Sequence, residues 1–272
     1  MKTKNLIILI PILIIIIYIG RRLYEYYSPA KERPIYRTTK HYDDTLRIAY
    51  IGDSWAFRHS DNWTFGHQPH SCQIPDIIKD SLHRPVIVES YGINGLTSKK
   101  IFYALFEEDS FRQFMEKGYN YCFISAGIND TYAKMSTSYY KQSMNCIIRF
   151  LLANNIHPLI QEIPDYNIIK AYEKQTIDKK VIRHLSMFVN GTQMDCKQQF
   201  RDALDELIID KGYQNNVSII RYKTWNNHYE TDLKEMYISD NIHLNERGYT
   251  VLDSVIIKVI LDIERSHSFT DE

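Results

Sequence analysis

The sequence predicts a three-layer α/β/α sandwich with a central, mostly parallel β-sheet, preceded by an apolar N-terminal helix. From residue 46 onward, short apolar runs alternate with amphipathic stretches. This alternation is typical of a parallel sheet that is covered by helices on both faces. With 272 residues and 44% hydrophobic content, the chain can bury one sizeable core, and its length indicates one domain or two.

Apolar segments of strand length predict five strands, over residues 47–51, 85–90, 119–125, 157–163 and 217–222. Apolar residues at helical spacing predict helices over residues 98–106, 111–116, 137–154, 200–211 and 246–263. The segment 166–199, between the fourth and fifth strands, is longer than a simple crossover requires. We expect it to form a partly helical excursion near the substrate.

An almost unbroken Ile/Leu run covers residues 6–19, with Lys2 and Lys4 before it and Arg21 and Arg22 after it. Fourteen helical residues rise about 21 Å, which is short of a hydrocarbon core of about 30 Å. Flanking basic side chains can extend to the interface, so we expect a transmembrane anchor.

We therefore expect an anchor over residues 1–27, a tether over 28–45 and a catalytic domain over 46–272. A cleaved signal peptide is the alternative, because Ser28-Pro29-Ala30 places small residues at suitable positions. Basic residues on both sides of the run leave the orientation open. We expect the domain on the extracytoplasmic side, because a short basic N-terminus before a large soluble domain is typical of exported, anchored enzymes.

Composition argues against some classes of function. The chain has 33 lysines and arginines and 33 aspartates and glutamates. It therefore lacks the net positive charge that would indicate nucleic-acid binding. We expect no metal site, because the cluster that could form one does not have a common zinc spacing. Its members are His59, His67, His70 and Cys72.

The four cysteines contain no C-x-x-C pair. Cys122 lies in an apolar run and Cys146 on a predicted helix face, so we expect both to be buried. Cys72 and Cys196 can pair in an oxidising compartment, and the sequence does not decide whether they do.

The strongest functional signal combines the first predicted strand with the C-terminal region. Ser54 follows this strand in Gly52-Asp53-Ser54, a tight turn that presents a hydroxyl at the sheet edge. A serine nucleophile needs a base, and the base needs a group that fixes its tautomer. Asp240 and His243, three residues apart, can supply both.

Two further motifs follow the second and third strands. Gly95 lies in a glycine-containing turn before a helix, where free backbone N–H groups suit an oxyanion. Asn129, in Gly127-Ile128-Asn129-Asp130, can donate a side-chain N–H to the same oxyanion. We expect Asp130 to be structural support.

Taken together, these four motifs in this order resemble the SGNH (GDSL-type) hydrolase family, from about residue 46 to the C-terminus. The resemblance implies a flavodoxin-like three-layer fold, a catalytic triad of Ser54, Asp240 and His243, and no metal or organic cofactor. It also implies an oxyanion hole formed by the backbone N–H groups of Ser54 and Gly95 and the side chain of Asn129. Trp55 stands where the family's name implies leucine, and we expect this difference to affect the local pocket wall and to leave the chemistry unchanged.

We therefore expect a membrane-anchored serine ester hydrolase that removes O-acyl groups, acetyl foremost, from a cell-envelope carbohydrate. One alternative is an O-acyltransferase with the same triad, and another is a lipid esterase or lysophospholipase. An inactive anchored interaction module is an alternative of another class. The expected partners are an acylated polysaccharide and the membrane, and the oligomeric state stays open.

Overall fold

The computed structural model describes residues 3–28, 30–57 and 74–268. Within these ranges the chain forms one five-stranded sheet. Its strands are β1 (Leu46–Gly52), β2 (Val86–Gly92), β3 (Tyr121–Ser125), β4 (His157–Gln161) and β5 (Ser218–Ile220). The helices in the described ranges are α1 (Thr3–Tyr27), α2 (Ile74–Leu82), α3 (Ser98–Glu107), α4 (Asp109–Glu116), α5 (Ile128–Ala133), α6 (Thr137–Ala153), α7 (Ile168–Glu173), α8 (Ile177–Asn190), α9 (Lys197–Asp210), α10 (Tyr229–Met236) and α11 (Glu246–Ser268).

The strand order is β2-β1-β3-β4-β5, and every neighbouring pair is parallel. One helical layer contains α3, α6 and α9, which contact one another in turn, while α2 packs on α11 and β2. The predicted three-layer fold around a parallel sheet is confirmed. Because all strands run in one direction, their carboxyl ends meet at one edge, where ligands bind in open α/β sheets.

The two central strands, β1 and β3, read as continuous apolar runs because helices cover both of their faces. Ile48 and Ile51 of β1 and Phe123 and Ile124 of β3 are fully buried. This core holds the carboxyl ends of β1 and β3 in fixed register, with Gly52 opposite Ser125.

Some elements differ from their predicted bounds. The fifth strand is only three residues long, because a 3₁₀ turn over Tyr222–Thr224 replaces its predicted end. The Tyr222 N–H donates to Glu162 Oε2 at 2.9 Å instead of to a neighbouring strand, so the chain leaves the sheet at this point. Helices α2, α5 and α10, of nine, six and eight residues, were not predicted. The excursion after β4 is partly helical, as predicted.

The predicted N-terminal helix forms as α1, 25 residues long. Within the described residues, however, no helix is both long and apolar enough to cross a membrane. The prediction of a transmembrane helix is therefore not supported.

The predicted tether lies along the domain. The Thr39 N–H donates to the Glu116 carbonyl at 2.9 Å, and the Thr38 N–H donates to Asn154 Oδ1 at 3.0 Å. Ala30 is buried. These bonds fix the path of the chain between α1 and β1.

Cys122 and Cys146 are buried, as predicted, and Cys196 is also a buried free thiol. Cys72, His59, His67 and His70 lie outside the described residues. Among the residues that the structure does describe, no group of three potential metal ligands comes together.

Candidate active site

Ser54 lies in a tight turn at the carboxyl end of β1. Gly52, with φ of 139°, lets this turn approach β3, because a Cβ there would lie 2.0 Å from the Ser125 carbonyl oxygen. Gly92 at the end of β2 has a similar role, since its Cβ would lie 2.3 Å from the Phe57 nitrogen. The two glycines therefore let neighbouring strand ends close around the Ser54 turn.

The structure brings Ser54, His243 and Asp240 together, although 189 positions separate Ser54 from His243. His243 Nε2 lies 2.7 Å from Ser54 Oγ, and His243 Nδ1 lies 2.5 Å from Asp240 Oδ2. Ser54 is 8% exposed, and the His243 side chain is 19% exposed. This geometry allows the imidazole to accept the serine proton while Asp240 holds the opposite nitrogen protonated.

The loop carrying Asp240 and His243 is fixed by its own hydrogen bonds. Asp240 Oδ1 accepts the N–H groups of Ile242 at 2.8 Å and His243 at 2.9 Å. Burial favours protonation of this carboxyl, but the His243 side chain and these two N–H groups hold the pKa of Asp240 below its usual value. Asp240 therefore stays ionised and oriented toward the imidazole.

Tyr229 holds the same loop from outside, which the sequence did not reveal. Its hydroxyl donates to the Asn241 carbonyl at 2.7 Å and accepts the Asn167 N–H at 3.0 Å. Asn241 has φ of 61°, so the loop turns sharply at this point. Tyr229 thus connects the loop between Asp240 and His243 to the segment that follows β4.

The predicted oxyanion donors lie around the serine turn. Gly95 has φ of 75° and open space where a side chain would be. Within the described residues, neither the Ser54 nor the Gly95 backbone N–H donates to a protein acceptor. Both groups are therefore available to a bound ligand, as an oxyanion site requires.

Asn129 follows β3, and its amide N–H groups are already engaged. Nδ2 donates to the Leu96 carbonyl at 3.0 Å and to Asp53 Oδ2 at 3.3 Å. The second bond is longer than a usual N–H···O bond. An oxyanion can therefore compete for this N–H, while the bond to Leu96 keeps the amide in place.

Asp53 is a second feature that the sequence pattern did not single out. It is fully buried and accepts the Trp55 N–H at 3.0 Å and the Ser125 hydroxyl at 2.8 Å. Burial raises the pKa of Asp53 to about 6, against the opposing effect of these bonds. Asp53 thus ties the serine turn to β3 and to Asn129. No short-range motif reveals this role, because Ser125 is 72 positions away.

Asp130 and Trp55 complete the surroundings of the site. Asp130 is buried and accepts the Ser98 N–H at 2.8 Å and the Ser98 hydroxyl at 2.6 Å, a structural contact of the kind predicted for it. Trp55 is only 2% exposed and packs edge-on against Trp225, with 5.8 Å between ring centroids. It belongs to the core beneath the site.

We expect Asn129→Ala to lower the kcat for a short aryl ester by about 10²–10³, the usual effect of losing one oxyanion donor. KM should change little, because the donor acts mainly on charge that develops in the transition state. Steady-state kinetics on the purified variant measures both constants. Asn145→Ala is the matched control, because its side chain accepts from Tyr213 on the far side of α6. Equal activity in the two variants would show that Asn129 is not an oxyanion donor.

Comparison with solved structures finds the same fold in several bacterial hydrolases. A lipase/acylhydrolase of Enterococcus faecalis superposes with a TM-score of 0.54 at 15% identity, covering 79% of this chain and 95% of that one. A family 3 carbohydrate esterase of Clostridium thermocellum superposes with a TM-score of 0.55 at 13% identity, covering 82% of this chain and 98% of the esterase. The esterase EstA of Pseudoalteromonas sp., described as inhibited by monoethylphosphonate, superposes with a TM-score of 0.52 at 14% identity. The match covers 82% of this chain and 100% of EstA.

At these identities, structural similarity shows the fold alone. No curated protein sequence matches the chain. Residues 50–251, however, match the sequence model of the GDSL-like lipase/acylhydrolase family. This match covers most of the chain and includes Ser54, Gly95, Asn129, Asp240 and His243. The chain therefore belongs to the GDSL-like lipase/acylhydrolase family of carboxylic ester hydrolases.

Proposed function

We propose that this enzyme removes O-acyl groups, acetyl foremost, from a carbohydrate of the cell envelope. In the proposed mechanism, Ser54 Oγ attacks the ester carbonyl while His243 Nε2 takes its proton. The N–H groups of Ser54 and Gly95 and the Asn129 amide stabilise the tetrahedral oxyanion. His243 then protonates the departing sugar oxygen, which leaves as a hydroxyl. A water molecule, deprotonated by His243, attacks the acyl-serine carbonyl, and His243 returns this proton to Ser54 Oγ as the acid leaves and ionises to a carboxylate.

The observation that carries the choice of a carbohydrate is a cavity of about 790 Å³ that is lined in part by Tyr229, the residue bonded to the Asn241 carbonyl. Two tyrosines, Tyr166 and Tyr229, line it together with charged and amide side chains. Among the described lining residues, only Ile168 and Ile169 are aliphatic. Charged and amide side chains can form hydrogen bonds with sugar hydroxyls but offer little apolar surface to an acyl chain, so this lining suits a carbohydrate better than a lipid.

The position of this cavity relative to the triad supports the same choice. Tyr229 lines the cavity and also donates to the Asn241 carbonyl, between Asp240 and His243. A sugar bound there is linked to the loop that carries the general base through the Tyr229 side chain. The carbohydrate esterase of Clostridium thermocellum indicates only that this fold accommodates such substrates.

Membrane attachment through α1 is part of the proposal. Isoleucines 14 to 17 of α1 are 55–60% exposed, which is unusual for a continuous run of large apolar side chains. Insertion of α1 into lipid removes this surface from water, and its flanking basic residues suit an interface. We place the catalytic domain on the extracytoplasmic side, where envelope carbohydrates are found.

The test compares acetylated oligosaccharides with aryl esters from acetate to palmitate and with a lysophospholipid. We expect the highest kcat/KM for the acetylated oligosaccharide. Asn227→Ala combined with Glu230→Ala removes two polar lining side chains. It should raise KM for the oligosaccharide about tenfold or more, since each lost hydrogen bond costs about 1 kcal/mol. The kcat for aryl acetate should fall no more than a few-fold.

A control variant, Asn215→Ala with Glu173→Ala, removes the same chemical groups outside this cavity. It should leave the oligosaccharide KM near that of the parent enzyme. Preference for palmitate or the lysophospholipid would instead identify a lipid esterase. Acyl transfer to an added sugar in competition with water would identify an acyltransferase.

A further inference from the structure

A second cavity, of about 540 Å³, lies where α1 meets the catalytic domain. Arg21 and Tyr24 come from the last turns of α1, and Lys31 and Arg33 come from the following segment. Tyr103 lies on the opposite wall, which α3 forms. The cavity therefore lies between the segment proposed to enter the membrane and the domain that carries the active site.

The cavity is strongly cationic, although the whole chain has no net charge. Its described lining residues include five basic side chains, Arg21, Lys31, Arg33, Lys99 and Lys100, and one carboxylate, Glu107. Glu107 is bound to Arg33. In the described part of the chain, neither Arg21 nor Lys31 has a carboxylate partner. This imbalance favours an anionic ligand.

Buried contacts give the cavity a fixed shape. Lys99 is only 6% exposed, and its ammonium donates to the Ser28 carbonyl at 2.7 Å and to the Ser28 hydroxyl at 2.8 Å. The Lys31 N–H donates to the Tyr103 hydroxyl at 3.4 Å, and the Arg33 guanidinium lies 5.6 Å from the Tyr103 ring centroid. These contacts hold the Lys99 and Arg33 side chains and the Lys31 backbone on a defined wall.

The place of the cavity along α1 indicates which anion it meets. The apolar run ends at residue 19, so Arg21 and Tyr24 lie about 3 Å and 7.5 Å further along the helix axis. The polar layer on each side of a bilayer is about 5–7.5 Å thick. When the apolar run lies in the hydrocarbon, this wall of the cavity therefore lies at the level of the lipid headgroups.

We propose that this cavity binds the phosphate of an anionic phospholipid headgroup, with Arg21 and Lys31 as the principal ligands. This inference rests on the membrane attachment proposed above. Thr97 lines the cavity and caps α3, two positions after Gly95. A bound headgroup therefore fixes the edge of the domain that carries the oxyanion loop close to the membrane surface.

The test uses the full chain in neutral detergent micelles, with phosphatidylglycerol or phosphatidylcholine added, and measures retained lipid by native mass spectrometry. We expect a single retained phosphatidylglycerol and no retained phosphatidylcholine. Arg21→Gln combined with Lys31→Gln should weaken retention about tenfold or more, since each basic group near an anionic surface contributes measurably to binding. Glu107→Gln should strengthen it, because it removes the competing carboxylate.

Lys211→Gln combined with Lys258→Gln is the matched control, because it removes the same charge from exposed positions outside the cavity and should leave retention unchanged. Flotation with phosphatidylcholine vesicles tests membrane attachment separately. Flotation without selective phosphatidylglycerol retention would overturn the headgroup site alone, whereas failure to float would overturn the attachment. Stabilisation by inorganic phosphate or glycerol phosphate without retained lipid would identify a soluble phosphate as the ligand and would also overturn the proposal.

Discussion

Ser54→Ala is expected to abolish ester hydrolysis and reaction with a fluorophosphonate probe, while the melting temperature changes by no more than a few degrees. The Ser54 hydroxyl is the atom that His243 Nε2 contacts at 2.7 Å, so its removal leaves no activated nucleophile. In a serine protease with such a triad, loss of the serine costs about 10⁶ in kcat. Fold stability should be retained, because the backbone bonds that hold the turn do not involve the hydroxyl.

A second serine–histidine pair in this chain supplies a matched control. Ser218 Oγ lies 3.0 Å from His157 Nε2, where β4 and β5 meet, so Ser218→Ala removes a similar hydrogen bond. This variant should keep full activity and label normally. A Ser54→Ala protein that still hydrolyses the ester or reacts with the probe would exclude Ser54 as the nucleophile.

The fold could be predicted because its signal is local. Each of the five strands contains a short apolar run, and burial between two helical layers makes such runs almost continuous in β1 and β3. The errors arise where a contact from elsewhere in the chain decides the local structure. At β5, the edge strand ends after Ile220 because Glu162 draws the Tyr222 N–H out of the sheet. The amino-acid pattern of the segment does not reveal that distant carboxylate.

The candidate site was predictable in so far as its residues lie in short motifs at strand ends or in one loop. Ser54, Gly95 and Asn129 follow successive strands, and parallel strands bring their carboxyl ends together. The positioning groups were not predictable in the same way. Asp53 reaches Ser125 and Asn129, and Tyr229 reaches Asn241, through contacts that depend on the completed fold.

The N-terminal segment shows the limit of hydropathy patterns. The apolar run does form a helix, but its length alone does not establish that it crosses a bilayer. Hydropathy also cannot show that the following residues line a cationic cavity with α3, since Lys99 and Tyr103 are far away in sequence. For this reason the lipid-headgroup proposal depends on the structure.

Asp240→Asn is expected to lower kcat much more than its small change in volume suggests. Asp240 Oδ2 accepts the proton on His243 Nδ1 at 2.5 Å and so leaves Nε2 free to accept from Ser54. An asparagine amide that donates at this position favours the tautomer with its proton on Nε2, which cannot act as a base. In serine proteases this change lowers turnover by about 10⁴. An ester has a better leaving group, so we expect a smaller loss, still well above tenfold.

The decisive measurement is the combination of Asp240→Asn with His243→Ala. His243→Ala should be at least as damaging as Asp240→Asn, because it removes the base itself. The double variant should be no slower than His243→Ala alone, since residues that act as one unit have non-additive effects. Asp210→Asn, at the exposed end of α9, is the control and should stay within a few-fold of the parent enzyme. If the losses from Asp240 and His243 multiply instead, each side chain acts separately. The 2.5 Å contact between them would then be structural, and Ser54 would need a base other than an imidazole oriented by Asp240.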